Sequence, residues 1–100
     1  MYDKPINIDD EFVQCPHCGS DFLHHDRVEA FFRHCEDSER GIYSMTAHHG
    51  NVTGTGIAEN PSARRDGVRI GCWCEECRGR SAIILSQHKG HTLIWTECHD

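Results

Sequence analysis

Two short stretches that lie far apart in the sequence decide the fold, Cys15-Pro16-His17-Cys18-Gly19 and Cys74-Glu75-Glu76-Cys77-Arg78-Gly79. In each stretch two cysteines stand three positions apart, in a segment that ends near a glycine. This spacing allows a tight turn to direct both sulfur atoms towards one point. One such pair is compatible with redox chemistry. Two pairs in a chain of 100 residues predict a single tetrahedral site with four thiolate ligands.

The predicted ligands are Cys15, Cys18, Cys74 and Cys77, and the expected metal is one structural Zn²⁺ ion. An iron centre uses the same ligands and is the alternative, with zinc favoured by its availability. Cys72 competes with Cys74, because both thiols lie on one side of a strand. We prefer Cys74, since it completes the three-residue spacing and leaves Cys72 as a small buried apolar residue. A thioredoxin-like redox pair is not favoured, because no βαβ pattern surrounds either stretch.

Length and composition indicate one small domain over residues 1–100, in which a metal site adds stability to a modest core. The longest purely aliphatic run, residues 82–85, is far too short to cross a bilayer, and no charged-then-apolar leader opens the sequence. Seven cysteines form an odd number that does not resemble a disulfide framework. They predict a reducing, cytoplasmic setting without a membrane.

Alternation of apolar and polar residues predicts an all-β fold of short antiparallel strands. The expected strands are residues 12–14, 22–24, 27–34, 42–47 and 68–73, of which residues 27–34 also fit a short helix. Residues 1–11 are predicted to form a flexible N-terminal arm, with Ile6 and Ile8 available to edge a sheet. Residues 48–67 are rich in glycine and are predicted to form a mobile loop.

The clearest pattern is a C-terminal β-hairpin, in which residues 81–88 and 91–97 flank Lys89-Gly90. This dipeptide suits a two-residue turn. Pairing across the turn places Ile84 opposite Trp95 and Leu85 opposite Ile94. Because apolar residues fall on both sides of these strands, we expect the hairpin to lie inside a sheet rather than at its edge.

The formal net charge of −6 is unevenly distributed. Residues 1–60 hold four Lys/Arg against eleven Asp/Glu, and residues 61–100 hold six against five. This balance disfavours non-specific binding of phosphate and leaves an acidic surface as a candidate site for a basic protein partner. The candidate nucleic-acid contacts are Arg64, Arg65, Arg69, Arg78, Arg80 and Lys89.

Histidines occur in clumps and are candidates for a second metal site, together with Cys35, Cys98 or His99. The clumped histidines are His24, His25, His48, His49, His88 and His91. The plainer interpretation is preferred, namely that they are surface residues that become charged below about pH 6.5.

No catalytic residue is assigned, because four thiolates leave no open position on a metal ion. The segment His48-His49-Gly50-Asn51 invites comparison with zinc-braced nucleases that use a His-Asn-His core, but its order and spacing differ. The segment His34-Cys35-Glu36 supplies only the first part of a zinc-deaminase pattern. A metal-dependent nuclease is therefore the third hypothesis.

The two cysteine pairs resemble the knuckles of zinc-ribbon (rubredoxin-like) proteins. The stretches Gly67-Val68-Arg69-Ile70, Trp73-Cys74-Glu75 and Gln87-His88-Lys89-Gly90, followed by Thr92, resemble small uncharacterised proteins of bacteriophages and integrated mobile elements. The resemblance implies an elaborated zinc ribbon, and at position 72 a bulky apolar residue is expected in such proteins. It makes binding of a protein partner, such as a host defence or transcription component, the leading hypothesis. A nucleic-acid-binding zinc ribbon is the alternative.

Overall fold

The computed structural model describes residues 2–47, 50–55 and 59–99, without the side chains of residue 47 and residues 50–55. Within these ranges the chain forms nine strands and no helix, which confirms the all-β class. No helix of the described ranges is therefore available to span a membrane. The strands are β1 (Tyr2–Lys4), β2 (Ile8–Asp9), β3 (Phe12–Val13), β4 (Leu23–Arg33), β5 (Gly41–Ala47), β6 (Gly50–Thr55), β7 (Gly67–Cys74), β8 (Arg80–His88) and β9 (His91–Cys98).

Seven strands form one sheet in the order β1-β9-β8-β7-β4-β5-β6, and every neighbouring pair is antiparallel. Strands β2 and β3 form a separate two-stranded hairpin that precedes the first cysteine pair. The order places β7 and β8 near the middle of the sheet. The turn that joins them carries the second cysteine pair.

The predicted C-terminal hairpin is confirmed as β8 and β9. Its register pairs Ile84 with Trp95 and Leu85 with Ile94. The two turn residues, Lys89 and Gly90, both have positive φ angles, of 48° and 81°. Such a turn matches the right-handed twist of the strands that it connects. The hairpin lies inside the sheet, because β7 and β1 flank it.

The long strand β4 replaces two strands that the sequence predicts separately, at residues 22–24 and 27–34. The register of β4 against β7 shifts between His25 and Arg27, so that Asp26 is an extra residue. A bulge of this kind interrupts the alternation of side chains without ending the strand. The broken alternation around Asp26 therefore suggests that one strand ends there and another begins, whereas the backbone continues as a single strand.

Two segments predicted to be loosely held contain strands. Within residues 1–11, β1 pairs with β9, so that Tyr2 lies opposite Cys98. Within residues 48–67, β6 pairs with β5 along six residues. Both strands lie at the edges of the sheet, where pairing with a neighbour satisfies backbone groups whatever the side chains are. Side-chain alternation is therefore a weak guide to these two strands.

One side of the large sheet is its charged face. Paired residues on neighbouring strands share a face, and one such row joins Trp95, Ile84, Arg69, Glu29 and Met45. Within this face Arg69 Nε lies 3.6 Å from Glu97 Oε1, and the Tyr43 hydroxyl donates to Glu29 Oε2 at 3.0 Å. The face carries the largest buried side chains, Phe31 and Ile84.

A loop of residues 59–66 covers part of the charged face and is held there by Arg33. The Arg33 guanidinium donates to the carbonyl oxygens of Arg65 at 2.9 Å, Ser62 at 2.8 Å and Ser38 at 2.6 Å. Gly67 allows this approach, because a Cβ atom there would contact Asn60 Oδ1 and lie 2.8 Å from Pro61 Cγ. The loop thus forms a partial second layer on the charged face.

The other side of the sheet is its apolar face. It consists of Val28, Ala30, Phe32, Ile42, Val68, Ile70, Ile83, Leu85 and Ile94, which form cross-strand rows. The side chains at its margins are half-exposed, with Phe32 at 50%, Ile42 at 54% and Ile94 at 46%. In these rows, as far as the structure describes them, the one charged residue is Lys4, opposite Thr96 at the sheet edge.

Candidate metal centre

Two turns of similar form, the knuckles, bring four cysteines together. The first knuckle is residues 15–20, after β3, and the second is residues 74–79, between β7 and β8. The Sγ atoms of the four cysteines all lie within 4.8 Å of one another. Those of Cys15 and Cys77 are 3.7 Å apart, and those of Cys18 and Cys74 are 3.6 Å apart.

The sulfur separations fit a tetrahedral metal ion. Four sulfurs at the Zn–S distance of about 2.3 Å would stand about 3.8 Å from one another. Two of the pairs, one between Cys15 and Cys77 and one between Cys18 and Cys74, agree with this value to within about 0.2 Å, and the others lie within 4.8 Å. Each close pair joins one knuckle to the other. In an all-strand fold this arrangement is a zinc-ribbon-like motif, and its thiolates suit either zinc or iron.

Both knuckles share one backbone pattern. The Cys15 N–H donates to the Ser20 carbonyl at 2.8 Å, and the Gly19 N–H donates to the Cys15 carbonyl at 2.8 Å. In the second knuckle the corresponding bonds join Cys74 to Gly79 at 3.2 Å and Arg78 to Cys74 at 3.1 Å. The two turns are therefore conformational equivalents related through the metal centre.

The residue four positions after the first cysteine has a left-handed backbone in both knuckles. Gly19 has a φ of 80°, and Arg78 has a φ of 63°. Gly79 meets a different requirement, because a Cβ atom there would lie 2.8 Å from His17 Cδ2 and 3.2 Å from Cys77 Sγ. Glycine thus serves backbone conformation in the first knuckle and close packing between the two knuckles in the second.

Backbone N–H groups point at the sulfurs. The His17 N–H donates to Cys15 Sγ at 3.4 Å, and the Gly79 N–H donates to Cys77 Sγ at 3.3 Å. Burial acts to raise the pKa of Cys74, but the N–H groups of Cys77 and Glu76, helped by neighbouring thiols, lower that pKa to about 6. Such N–H dipoles stabilise thiolates, the form in which cysteine binds a metal.

Burial has the opposite effect at Cys15, whose pKa it raises to about 12 although two N–H groups act to lower it. Without a cation, the Cys74 thiol therefore ionises far more easily than the Cys15 thiol. Sulfurs this close cannot all become anionic unless a positive charge is present. A divalent ion supplies that charge, so metal binding is expected to release protons.

Cys72 lies outside the cluster of four sulfurs. Its Sγ atom is 3.4 Å from the Ile70 carbonyl oxygen, and the residue is 1% exposed. Burial, followed by the nearby carboxylate of Asp26, raises the pKa of Cys72 to about 11. The thiol is thus a protonated, buried group, and it is Cys74 that joins the cluster.

Two polar contacts attach the first knuckle to the sheet, and a third joins the second knuckle to the residue before β4. His17 Nε2 donates to the Arg80 carbonyl at 2.8 Å, and Lys4 Nζ donates to the Pro16 carbonyl at 2.9 Å. The Glu75 N–H donates to the Phe22 carbonyl at 3.1 Å. The role of His17 was not predicted. Its position between two ligands in Cys15-Pro16-His17-Cys18 is the one sequence feature that points to it.

In the part of the chain that the structure describes, the histidine candidates do not belong to a group of three or more ligating side chains at metal-binding spacing. His24 stacks on Trp73, with ring centroids 4.4 Å apart, and its Nε2 lies 3.1 Å from Glu75 Oε1. His88 pairs with His91 at the exposed end of the hairpin, and His25 is exposed beside the bulge. The four cysteines are the one group with metal-binding spacing there. His48 and His49 lie outside the described residues.

Most of the arginines predicted to contact nucleic acid are paired with carboxylates. Arg65 Nη2 lies 2.6 Å from Glu36 Oε1, and Arg80 Nη2 lies 3.2 Å from Asp26 Oδ1. Arg64 donates to both oxygens of Asp37 and lowers the pKa of that carboxyl. Arg69 contacts Glu97, as described above, while Arg78 and Lys89 occupy turns with positive φ. These pairs reduce the basic and the acidic character of the surface together.

Comparison with known proteins adds no relative. No protein-family model, no curated protein and no solved structure matches this chain. The likeness to zinc ribbons therefore depends on the geometry of the four cysteines.

Removal of a cluster cysteine should release the metal, whereas removal of Cys72 should not. We expect one metal ion per chain in the unaltered protein and less than about a tenth of that in Cys15→Ser or Cys77→Ser, because three thiolates hold zinc much less tightly than four. Cys72→Ser should keep full metal content. Inductively coupled plasma mass spectrometry on the purified proteins measures each value. Full metal content in Cys77→Ser, or loss in Cys72→Ser, would contradict the assignment.

Gly19 and Arg78 both have a left-handed backbone conformation. Replacing Gly19 with alanine and Arg78 with glycine should therefore change the free energy of unfolding in opposite directions. Gly19→Ala should lower the free energy of unfolding by about 1 kcal/mol, because a Cβ disfavours this backbone region. No atom lies within 4 Å of that added Cβ, so the cost is one of conformation alone. Arg78→Gly should raise the free energy by up to about 1 kcal/mol, reduced by the greater flexibility of the unfolded chain. Urea denaturation of the zinc-loaded proteins tests both, and destabilisation by Arg78→Gly beyond about 1 kcal/mol would argue against strain at this position.

Proposed function

We propose that this chain is a non-enzymatic, metal-stabilised module that acts by binding another protein molecule through its apolar face. The observation that carries the proposal is the exposure of that face, whose marginal residues Phe32, Ile42 and Ile94 are about half accessible. A large apolar patch on a soluble chain is typical of an interaction site. The backbone groups beneath it are already paired in the sheet, so side-chain contact is what the face offers.

The metal centre supports a structural role. When bound, the ion would supply positive charge and a cross-link, and Cys15, Cys18, Cys74 and Cys77 would fill its tetrahedral sphere. Full coordination leaves no site for water or substrate. The residues themselves connect the N-terminal segment to the turn between β7 and β8, with His17 and Lys4 holding that segment against the sheet. This arrangement favours a binding module over an enzyme.

Nucleic-acid binding has less support. The chain is acidic overall, with a formal net charge of −6, and Arg64, Arg65, Arg69 and Arg80 each lie beside a carboxylate. A phosphate backbone would have to displace these carboxylates while approaching a like-charged protein. The resemblance to phage and mobile-element proteins makes a host defence or transcription component a candidate partner. That candidate is part of the proposal.

The face can be tested with two adjacent residues of β9 that point to opposite sides of the sheet. Ile94 lies on the apolar face and Leu93 on the charged face, and they are 46% and 47% exposed. Immobilised zinc-loaded protein should retain one or more specific proteins from a lysate of its natural host, and Ile94→Lys should lower the retained amount at least about tenfold, because the buried ammonium loses its hydration. Leu93→Lys should retain as much of the bound protein as the unaltered protein does. Quantitative mass spectrometry measures both.

Two outcomes would contradict this proposal. Equal retention by Ile94→Lys and the unaltered protein would place the binding surface elsewhere. Retention that requires nucleic acid in the lysate and falls steeply with salt concentration would favour the nucleic-acid hypothesis.

A further inference from the structure

We propose that the occupant of the apolar face is a second copy of this chain, packed sheet against sheet in a twofold-symmetric dimer. The inference rests on the proposed function, because it takes the apolar face to be a protein-binding surface. It names a second copy, in place of a host component, as the occupant of that face. Four features of the described structure lead to it: the missing layer, the excess of accessible surface, the distribution of charge and the shape of the face.

The sheet lacks a second layer over much of its apolar side, although the end of that side near the knuckles is buried at Cys72, Ser81, Thr96 and Cys98. Stable domains bury a sheet face against another layer of secondary structure. Residues 59–66 cover part of the charged face, whereas the rows Ile94-Leu85-Val68-Ala30 and Ile83-Ile70-Val28 stay partly or half exposed. The Cα radius of gyration is 14.0 Å, compared with about 13 Å for a compact domain of this length. A second sheet stacked on the apolar face would complete a two-layer sandwich.

The accessible surface is larger than a compact monomer requires. The chain exposes 6543 Å², whereas a compact monomeric protein of 11.4 kDa exposes about 5,800 Å². The excess is roughly 750 Å². One partner in a standard stable interface contributes about 800 Å². The surplus, which is summed over the whole chain and not over the apolar face alone, is of the size that one twofold interface would remove.

The distribution of charge favours a like copy. Two chains that each carry a formal charge of −6 repel one another unless their charges stay apart. The charged residues Arg27, Glu29, Arg69 and Glu97 lie on the opposite face of the sheet. Stacking of two apolar faces keeps these groups on the outer surfaces of the dimer. A largely aliphatic face, whose charged residues Lys4 and Asp66 lie at its margins, also suits the self-complementary contact that a twofold interface requires.

The apolar face contains a recess that side chains of a second copy can enter. A recess of about 170 Å³ beside the exposed ring of Phe32 is lined further by Asp66, Gly67, Val68, Leu85, Ser86, Gln87 and Thr92. Asp66, just before β7, stands between the strands of Phe32 and Gln87, because its carbonyl accepts from the Gln87 N–H at 3.1 Å and its Oδ1 accepts from the Arg33 N–H at 2.8 Å. Two twisted sheets packed at about 10 Å separation interdigitate their side chains in such gaps.

The experiment is sedimentation velocity combined with light scattering on the zinc-loaded protein from about 10 to 200 µM. The unaltered protein should have twice the mass of 11.4 kDa, about 23 kDa. Ile94→Lys and Phe32→Lys should each raise the dissociation constant at least about 100-fold, because each places two lysines in the symmetric interface. Leu93→Lys, of matched exposure on the charged face, should remain dimeric.

A mass of 11.4 kDa for the unaltered protein over the whole range would overturn the inference. So would a dimer that survives both Ile94→Lys and Phe32→Lys, or one that only Leu93→Lys dissociates. Metal content and circular dichroism establish that each variant is folded, and Phe32→Lys provides the test if Ile94→Lys is not. A monomer whose capture of another protein is still abolished by Ile94→Lys would leave the proposed function standing without a second copy.

Discussion

The structure depends on contact between two pairs of sulfurs that are distant in sequence. Cys15 and Cys77 are 62 residues apart, and Cys18 and Cys74 are 56 residues apart. Bringing such distant segments together costs chain entropy, which weak side-chain contacts do not offset easily in a small domain. A metal ion bound by four thiolates contributes enough free energy to do so. The N-terminal segment is thereby fixed at one end of the sheet, and the sheet itself need not enclose the centre.

Because the sheet does not need to enclose the metal centre, its two faces can differ in character. The charged face holds its residues in ion pairs and is partly covered by the loop that Arg33 fixes. The apolar face carries aliphatic rows that the described part of the chain leaves accessible. Pairing of Arg64, Arg65 and Arg80 with carboxylates also limits any strongly charged surface. Together these features support the proposed apolar protein contact over nucleic-acid binding.

The sequence predicts those parts of the fold that are encoded locally. The spacing of the cysteines identifies the four clustered sulfurs, and Lys89-Gly90 identifies the hairpin and its register. Pairing between distant segments leaves little local trace, which is why β1 and β6 appeared to be an arm and a loop. Asp26 hides the continuity of β4, because a bulge breaks the alternation. The sequence also shows that Val68 and Ile70 share a face, but its exposure depends on how distant segments pack.

The central claim is that four cysteines and no other side chain hold the metal. X-ray absorption spectroscopy of the purified protein, at the absorption edge of the metal that it contains, tests this directly. The account predicts a single shell of four sulfur scatterers, at about 2.3 Å if the metal is zinc. A shell that includes nitrogen from a histidine, or fewer than four sulfurs, would contradict it.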